Sequence, residues 1–488
     1  MKKGKNINEE NSKKNNENKT YGLFKFHFPT EIERKSALDL SGESTLLKKL
    51  ILTELNLFYS PILPPKKNVN INNFWLLSHK EYGETFNEFL RNGHFYKLTP
   101  NNDVIYLFNL VFVPEEENNN EIKEEKNEDD ENEINTNINN ENTEKNNNNE
   151  NNNENNNNNN ENNNNNNKLN ESEKRIIINI PPPIPQKYLD KFQQILSAYF
   201  STYIKFNLQN LTIPLSKIIY KKNDETNNLI SVQADYLIQY LNSIIFNKKN
   251  KNYPNSYNYI FFTNIPLFHN ISLYKEGKIN KYQFYPKNFL DNDSCFELIN
   301  IQKRTCLMSF SQFLIEFNNN NNEKNNENNE NNEKNENKKE TELDCINFKR
   351  SLKLLIRNIC ILFGVNNCIY YSCILNGFSS LFEFDLNSFE LCPICLRKIF
   401  NIILRKFDDE SEYDKNLKNI ITLFDRLNEL KNILSFDDEN SEKNEENSNE
   451  NEENNENKKN YMKKVFQLEC NWYKMRSKTL QKFFEKKK

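Results

Sequence analysis

Stretches dense in apolar residues alternate along the chain with stretches that contain almost none. In the apolar stretches, Leu, Ile and Phe recur every three or four residues, the spacing of one face of an α-helix. A helix is therefore predicted in each of seven windows: Thr45–Phe58, Gln186–Tyr203, Val232–Phe246, Cys345–Phe363, Leu391–Phe407, Asn416–Leu434 and Tyr461–Phe484. Gly364 follows the fourth window, and a glycine in the left-handed conformation commonly ends a helix with a sharp turn.

Runs of β-branched and aromatic residues predict strands between these helices. The longest such run is Asp103–Val113, and shorter ones are Ile204–Leu208, Tyr259–Ile265 and Tyr282–Tyr285. Ile176–Ile180 is a further apolar run, which prolines 181–183 stop. The alternation of strands and helices predicts an α/β or α+β domain in layers, with helices packed on a sheet whose strand polarity stays open.

The polar stretches consist almost wholly of Asn, Glu, Lys and Asp. Such sequences cannot bury enough apolar surface to offset the entropy of the chain, so we expect them to be disordered. They are a tail at 1–19 and inserts at 115–173, 318–342 and 436–459. A single domain formed by 20–114 and 174–435 remains, followed by a basic carboxy-terminal helix at 460–488, about 350 foldable residues in total.

The formal charge of −4, from 65 Lys and Arg against 69 Asp and Glu, indicates neither nucleic acid nor an anionic membrane as the main partner. The sequence has no signal-peptide pattern at its start and no apolar run of about 18 residues that could span a bilayer. We therefore expect an intracellular protein, in the cytoplasm or the nucleus.

Four of the nine cysteines form two closely spaced pairs: Cys368 with Cys373, and, eighteen residues later, Cys392 with Cys395. Two such pairs are the usual ligand arrangement of a tetrahedral structural zinc ion, with sulfurs about 2.3 Å from the metal. Two other interpretations remain open, namely four unrelated buried thiols or a thioredoxin-type redox pair. Zinc is the favoured interpretation, and the five scattered cysteines are expected to be small buried apolar side chains.

The segment Arg357–Lys398 resembles the archaemetzincins, a family of zinc-dependent metallopeptidases. Their signature is H-E-x-x-H-x-x-G-x-x-H-C, then C-x-M, then C-P-x-C. This chain has R-N-I-C-I-L-F-G-V-N-N-C from Arg357, then C-I-L from Cys373, then C-P-I-C from Cys392. A weaker resemblance extends over Ser60–Val113 and Pro185–Leu314. It implies a metzincin-like layered fold in which Cys368, Cys373, Cys392 and Cys395 bind one structural zinc ion.

The same resemblance implies that the catalytic centre of the family is altered. Its three histidine ligands correspond to Arg357, Ile361 and Asn367, and its general-base glutamate corresponds to Asn358. Arginine, isoleucine and asparagine are poor zinc ligands, and a guanidinium would also repel a divalent cation. The methionine of the family's Met-turn corresponds to Leu375, a tolerable apolar exchange.

Our leading hypothesis is a catalytically inactive relative, a pseudopeptidase that keeps its structural zinc and binds a peptide or protein in its cleft. The alternative is an active zinc metallopeptidase with non-standard ligands, such as Cys360 and a distant histidine among His27, His79, His94 and His269. Asp344, Glu383 and Asp385 could contribute to another catalytic centre, although no spacing supports it. A third hypothesis is a zinc module without metzincin ancestry.

Overall fold

A computed structural model describes most of the chain outside the polar inserts. The described residues are 26–41, 45–62, 75–78, 81–93, 98–99, 101–114, 180–200, 204–223, 229–247, 252–253, 256–268, 294–311, 313, 330–378, 380–404, 412–435 and 463–485. The tail at 1–19, the inserts at 115–173 and 436–459, the strand predicted at Tyr282–Tyr285 and three of the four histidines lie outside them. Within the described part of the chain, no helix is both long and apolar enough to cross a membrane.

The main sheet is mixed, which agrees with the predicted fold class. Its strands are β1 (Val104–Val113), β2 (Lys205–Pro214), β5 (Ser256–Thr263), β8 (Glu297–Asn300) and β9 (Thr305–Ser309). They lie in the order β2-β1-β5-β9-β8, where the first four are parallel and β8 is an antiparallel edge strand. The interior strand β1 is apolar almost without alternation, because a parallel strand inside a layered domain is buried on both faces.

A smaller sheet follows β2 along the chain. It contains β3 (Tyr220–Asn223), β4 (Leu229–Gln233), β6 (Leu267–Phe268) and β7 (Ser294–Cys295), in the order β3-β4-β6-β7. The β3–β4 and β6–β7 pairs are antiparallel, and the β4–β6 pair is parallel.

The described helices fall close to the predicted windows. They are α1 (Glu31–Leu38), α2 (Thr45–Phe58), α3 (Trp75–Ser78), α4 (Phe86–Asn92), α5 (Gln186–Phe200), α6 (Ala234–Ile245), α7 (Glu330–Leu362), α8 (Leu381–Leu386), α9 (Pro393–Leu404), α10 (Glu412–Leu434) and α11 (Gln467–Glu485).

One boundary requires a correction. The sequence analysis starts a helix at Cys345 and assigns residues 318–342 to a disordered insert, whereas α7 begins at Glu330 and includes residues 330–342. Glu and Lys are good helix formers, and a helix already nucleated by its apolar half extends at little cost. The low apolar content of residues 330–342 therefore does not exclude them from the helix.

The second half of α7 is the centre of the core. From Ser351 to Phe363 every side chain is buried, so this part of the helix lies inside the domain with no solvent-facing side. Helix α5 packs beside it, where the rings of Phe192 and Phe348 stack with centroids 4.8 Å apart. The fold thus holds the carboxyl end of α7, from which the candidate site begins, in a fixed position.

Candidate metal centre

A glycine turn ends α7 and leads the chain into the cysteine cluster. Gly364 has a φ of 86°, as the sequence predicts for a residue that closes a helix. Its N–H donates to the carbonyl of Ile361 (2.8 Å), and the N–H of Val365 donates to the carbonyl of Cys360 (3.2 Å). These are the two hydrogen bonds of a Schellman motif, which satisfies the last carbonyls of the helix and turns the chain toward Cys368.

The four predicted zinc ligands lie together. The sulfurs of Cys368, Cys373, Cys392 and Cys395 are all within 4.8 Å of one another, and those of Cys368 and Cys392 are 3.5 Å apart. In a tetrahedral four-thiolate zinc site the sulfurs are about 3.8 Å apart. The cluster could therefore hold a metal ion. Among the described residues, no second group of three or more His, Cys, Asp or Glu side chains has such a geometry.

Asn376 holds the first cysteine pair in a tight loop. Its Oδ1 accepts a hydrogen bond from the N–H of Cys373 (2.8 Å), and its Nδ2 donates to the carbonyls of Cys368 (2.7 Å) and Tyr371 (3.1 Å). The second pair joins this loop directly, because the N–H of Cys392 donates to the sulfur of Cys373 (3.3 Å). The cysteines are thus positioned by backbone contacts as well as by spacing.

Gly377 is required by a close approach of the loop to Trp75. A Cβ atom at this position would lie 2.0 Å from Nε1 of Trp75, so only glycine lets the loop touch the indole ring. Trp75 is buried, and its contact with the loop joins the metal-binding segment to the amino-terminal part of the domain.

The environment of the thiols fits a metal site better than a redox pair. Hydrogen bonds with the three neighbouring thiols lower the pKa of Cys368, whereas burial raises the pKa of Cys373. Four thiolates buried together need a cation to balance their charge. A thioredoxin-type nucleophile, by contrast, is partly exposed, whereas Cys392 and Cys395 are 0% and 2% exposed.

Arg357, which the sequence resemblance matches to the family's first histidine ligand, forms a buried ion pair. Its Nη1 lies 2.8 Å from Oε1 of Glu297 on β8, and the guanidinium carbon lies 5.4 Å from the centre of the Phe378 ring. Nη1 also donates to Oδ1 of Asn358 (3.4 Å), and Nη2 donates to Oδ1 of Asn367 (3.2 Å). The structure therefore brings three of the four altered catalytic positions into one network of hydrogen bonds.

This network continues to the amino-terminal part of the domain. Nδ2 of Asn367 donates to Oε1 of Glu81 (2.6 Å), and the same oxygen accepts a hydrogen bond from Nε1 of Trp75. Burial raises the pKa of Glu81, although both hydrogen bonds and the charge of Arg357 act against that rise. Ile361 is also buried, and it lies one turn after Arg357 on the same face of α7.

The other sequence candidates lie in ordinary structural surroundings. The exposed His27 contacts Glu33 at 3.0 Å, Asp385 pairs with Arg350 at 2.6 Å, and Glu383 accepts a hydrogen bond from the N–H of Trp75 (2.9 Å). Cys360 is fully buried, which raises the pKa of its thiol. The side chain of Asp344 and His79, His94 and His269 lie outside the described residues.

Comparison with known proteins gives a partial match. No protein-family model matches the chain. Archaemetzincin-2 of Macaca fascicularis is 33% identical over 81 residues, which cover 14% of this chain and 22% of that protein; the human protein is 32% identical over the same length. The chain thus spans about a fifth of the length of the curated relatives it matches.

Two solved structures are also similar. The archaemetzincin of Methanopyrus kandleri is 16% identical, with a TM-score of 0.28 over 45% of this chain and 89% of its own. A zinc-dependent peptidase of Methanocorpusculum labreanum is 15% identical, with a TM-score of 0.28 over 44% of this chain and 95% of its own. The relationship therefore rests on the sequence match.

The fold and the site define an α/β protein with a buried four-cysteine cluster that could hold a metal ion. The sequence match relates that class to the archaemetzincins over 81 residues, and the resembling segment 357–398 of this chain contains no histidine.

Proposed function

We propose that this chain is a non-catalytic archaemetzincin relative that binds one structural zinc ion through Cys368, Cys373, Cys392 and Cys395. The observation that carries the proposal is the ion pair of Arg357 with Glu297 at 2.8 Å, where the family has a metal-binding histidine. A guanidinium has no lone pair to offer a metal ion, so arginine at this position removes the ligand that the family uses. Without a base at Asn358, a metal-bound water would also lack its proton acceptor.

The four sulfur donors support zinc as the bound metal. Thiolates are soft ligands, and four of them around a small buried volume select zinc among the common cellular divalent ions. Such a site has no open coordination position, so it contributes stability and no catalysis.

Metal analysis of three purified proteins tests this proposal. We expect one zinc per chain in the wild type, none in Cys392→Ser, and one in Cys360→Ser, a control that removes a buried thiol outside the cluster. None of the three should hydrolyse a peptide library. Chelator-sensitive hydrolysis by the wild type, or unchanged zinc in Cys392→Ser, would contradict the proposal.

The alternative, an active peptidase with non-standard ligands, receives no support from the described residues. Among the ligands named for this alternative, Cys360 is the thiol. The Cys360 side chain is enclosed in the core, and burial raises its pKa. If the alternative were right, hydrolysis would be lost in Cys360→Ala and retained in Asn358→Ala.

We propose further that the altered cleft binds a peptide. Next to it, α8 exposes Phe382 (71%) and Leu386 (61%), which are four residues apart and so share one face of the helix. Helix α8 is connected to the altered positions because Glu383 accepts a hydrogen bond from the N–H of Trp75, whose ring donates to Glu81, the partner of Asn367. Two large exposed apolar side chains on one helix face are suited to anchor a peptide.

Selection of displayed peptides on the wild-type chain tests this second proposal. Selected peptides should bind the Phe382→Ala/Leu386→Ala variant at least about tenfold more weakly, because an anchoring contact is worth more than about 1 kcal/mol. They should bind Leu468→Ala, which removes another exposed leucine on α11, as well as they bind the wild type. Equal binding to all three proteins would show that the cleft region is not the peptide site.

A further inference from the structure

A buried carboxylate connects the last two described helices to the segment that leads into Cys392. Glu390 is 4% exposed, and its Oε1 accepts hydrogen bonds from Nη2 of Arg426 (2.7 Å) and from the N–H of Leu391 (2.8 Å). Its Oε2 accepts a hydrogen bond from the hydroxyl of Tyr473 (2.7 Å). Arg426 lies on α10 and Tyr473 on α11, so one side chain joins both helices two residues before a metal ligand.

The backbone around Glu390 is fixed from both sides. Its carbonyl accepts a hydrogen bond from the N–H of Ile374 (3.0 Å), the residue after Cys373. The hydroxyl of Tyr199 donates to the carbonyl of Phe389 (3.2 Å) and accepts from the N–H of Leu391 (3.1 Å). The segment 389–391 therefore sets the position of the second cysteine pair relative to the first.

Arg426 strengthens this arrangement through a second contact. Its Nε donates to the carbonyl of Tyr199 (2.6 Å), and its guanidinium carbon lies 4.3 Å from the centre of the Tyr199 ring. A charged pair in such a position fixes geometry more than it adds stability, since burying both charges is costly.

We propose that Glu390 is a positioning residue for the metal site, through which α10 and α11 set the affinity of the four cysteines for zinc. The inference deepens the proposed function and rests on it, because it requires that the cluster binds zinc. Hydrogen bonds that orient metal-binding segments typically change metal affinity by about 10 to 100-fold. Coupling between two sites is reciprocal, so bound zinc should in turn hold the two helices in place.

Zinc affinity and the absorption spectrum of the cobalt-substituted site test the inference in the full chain. Tyr473→Phe removes one hydrogen bond and keeps the Glu390–Arg426 pair. We expect about tenfold weaker zinc binding and altered cobalt d–d bands. Glu390→Gln should have a larger effect on both.

Glu469→Gln is the matched control. Glu469 pairs with Lys349 at 2.7 Å and so docks α11 on α7, and the hydrogen bond of Lys349 goes to the carbonyl of Val465 rather than to residues 389–391. This variant should lose stability while it keeps wild-type zinc affinity, within about twofold, and the wild-type cobalt spectrum. The contrast separates positioning of the site from general docking of the helix.

Hydrogen exchange tests reciprocity, with reduced protection of α11 expected when zinc is removed from the wild type. If Tyr473→Phe and Glu390→Gln both bind zinc as the wild type does, the inference is overturned and the proposed function stands. If Glu390→Gln does not fold, the zinc affinity and the cobalt spectrum of Tyr473→Phe alone test the inference. A wild-type chain that binds no zinc overturns the proposed function and this inference together.

Discussion

Asn376 holds the loop that contains Cys368 and Cys373 through three hydrogen bonds to backbone atoms. Replacement by Ala would remove all three and leave buried backbone groups without partners, so we expect Asn376→Ala to lower the free energy of unfolding by about 3 kcal/mol. Chemical denaturation measures this change. Asn432→Ala, on an exposed helix position, should change it by less than about 0.5 kcal/mol. Equal effects of the two substitutions would mean that Asn376 is not a structural clamp.

The ion pair of Arg357 and Glu297 predicts non-additive mutations. Arg357→Met alone leaves a buried carboxylate without its cation, which should cost about 3–5 kcal/mol. Because Glu297→Leu removes that carboxylate, the double variant should recover at least half of the loss. Urea denaturation of the two single variants and the double variant completes the cycle. A double variant as unstable as the sum of its single variants would show that the pair is not coupled.

At the scale of residues, sequence spacing predicted which cysteines converge but not the partners of Arg357. Cys368 and Cys373 are close along the chain, and so are Cys392 and Cys395, so each pair is held near one turn. Glu297, however, is 60 positions from Arg357, and Glu81 is 286 positions from Asn367. Such contacts depend on how β8 and the segment before α4 pack, which no local pattern encodes.

At the scale of elements, the turn that ends α7 has a role beyond helix termination. Gly364 and Gly93 both have positive φ, at 86° and 59°, so replacement of either by Ala should cost about 1 kcal/mol. Gly364→Ala should also weaken zinc binding, because the turn aims residues 365–368 at the cluster. Gly93 ends α4, so Gly93→Ala should leave zinc affinity unchanged. Competition with a chromophoric chelator measures both affinities, and identical values would refute the role assigned to the turn.

The strands β1 and β2 show that the sequence predicts some strand boundaries and not others. β1 matches its prediction almost residue for residue, since a long apolar run has few alternatives. β2 was predicted to end at Leu208 and extends to Pro214, because its polar residues lie on the partly exposed positions of an edge strand. The parallel pairing of Val104 with Lys205 follows from packing of the whole domain and could not be predicted.

At the scale of the whole molecule, the insert at 115–173 should be dispensable for folding. Val111 and Phe112, before the insert, line the same cavity of about 180 Å³ as Ile180 and Pro181, after it. A short Gly-Ser linker could therefore replace the insert, with less than about 1 kcal/mol change in the free energy of unfolding. Chemical denaturation and zinc content of the shortened chain check this prediction, and loss of either fold or zinc would contradict it.

Composition divides the sequence into apolar and polar stretches, but it does not show how the apolar stretches pack together. The helical windows that became α10 and α11 were predicted from their periodicity alone. Their connection to the cysteines through Arg426, Tyr473 and Glu390 needs three segments that are distant in the sequence. The one sequence signal for this connection would be a polar residue such as Arg426 at a buried helix position. An alignment of relatives would be needed to recognise it.

Anomalous X-ray scattering from crystals of the full chain at the zinc absorption edge tests the central claim most directly, because it both counts and locates the metal. We predict one peak per chain, surrounded by the sulfurs of Cys368, Cys373, Cys392 and Cys395. A second peak beside Arg357, or no peak among the four sulfurs, would contradict a relative that keeps its structural zinc and has lost its catalytic one.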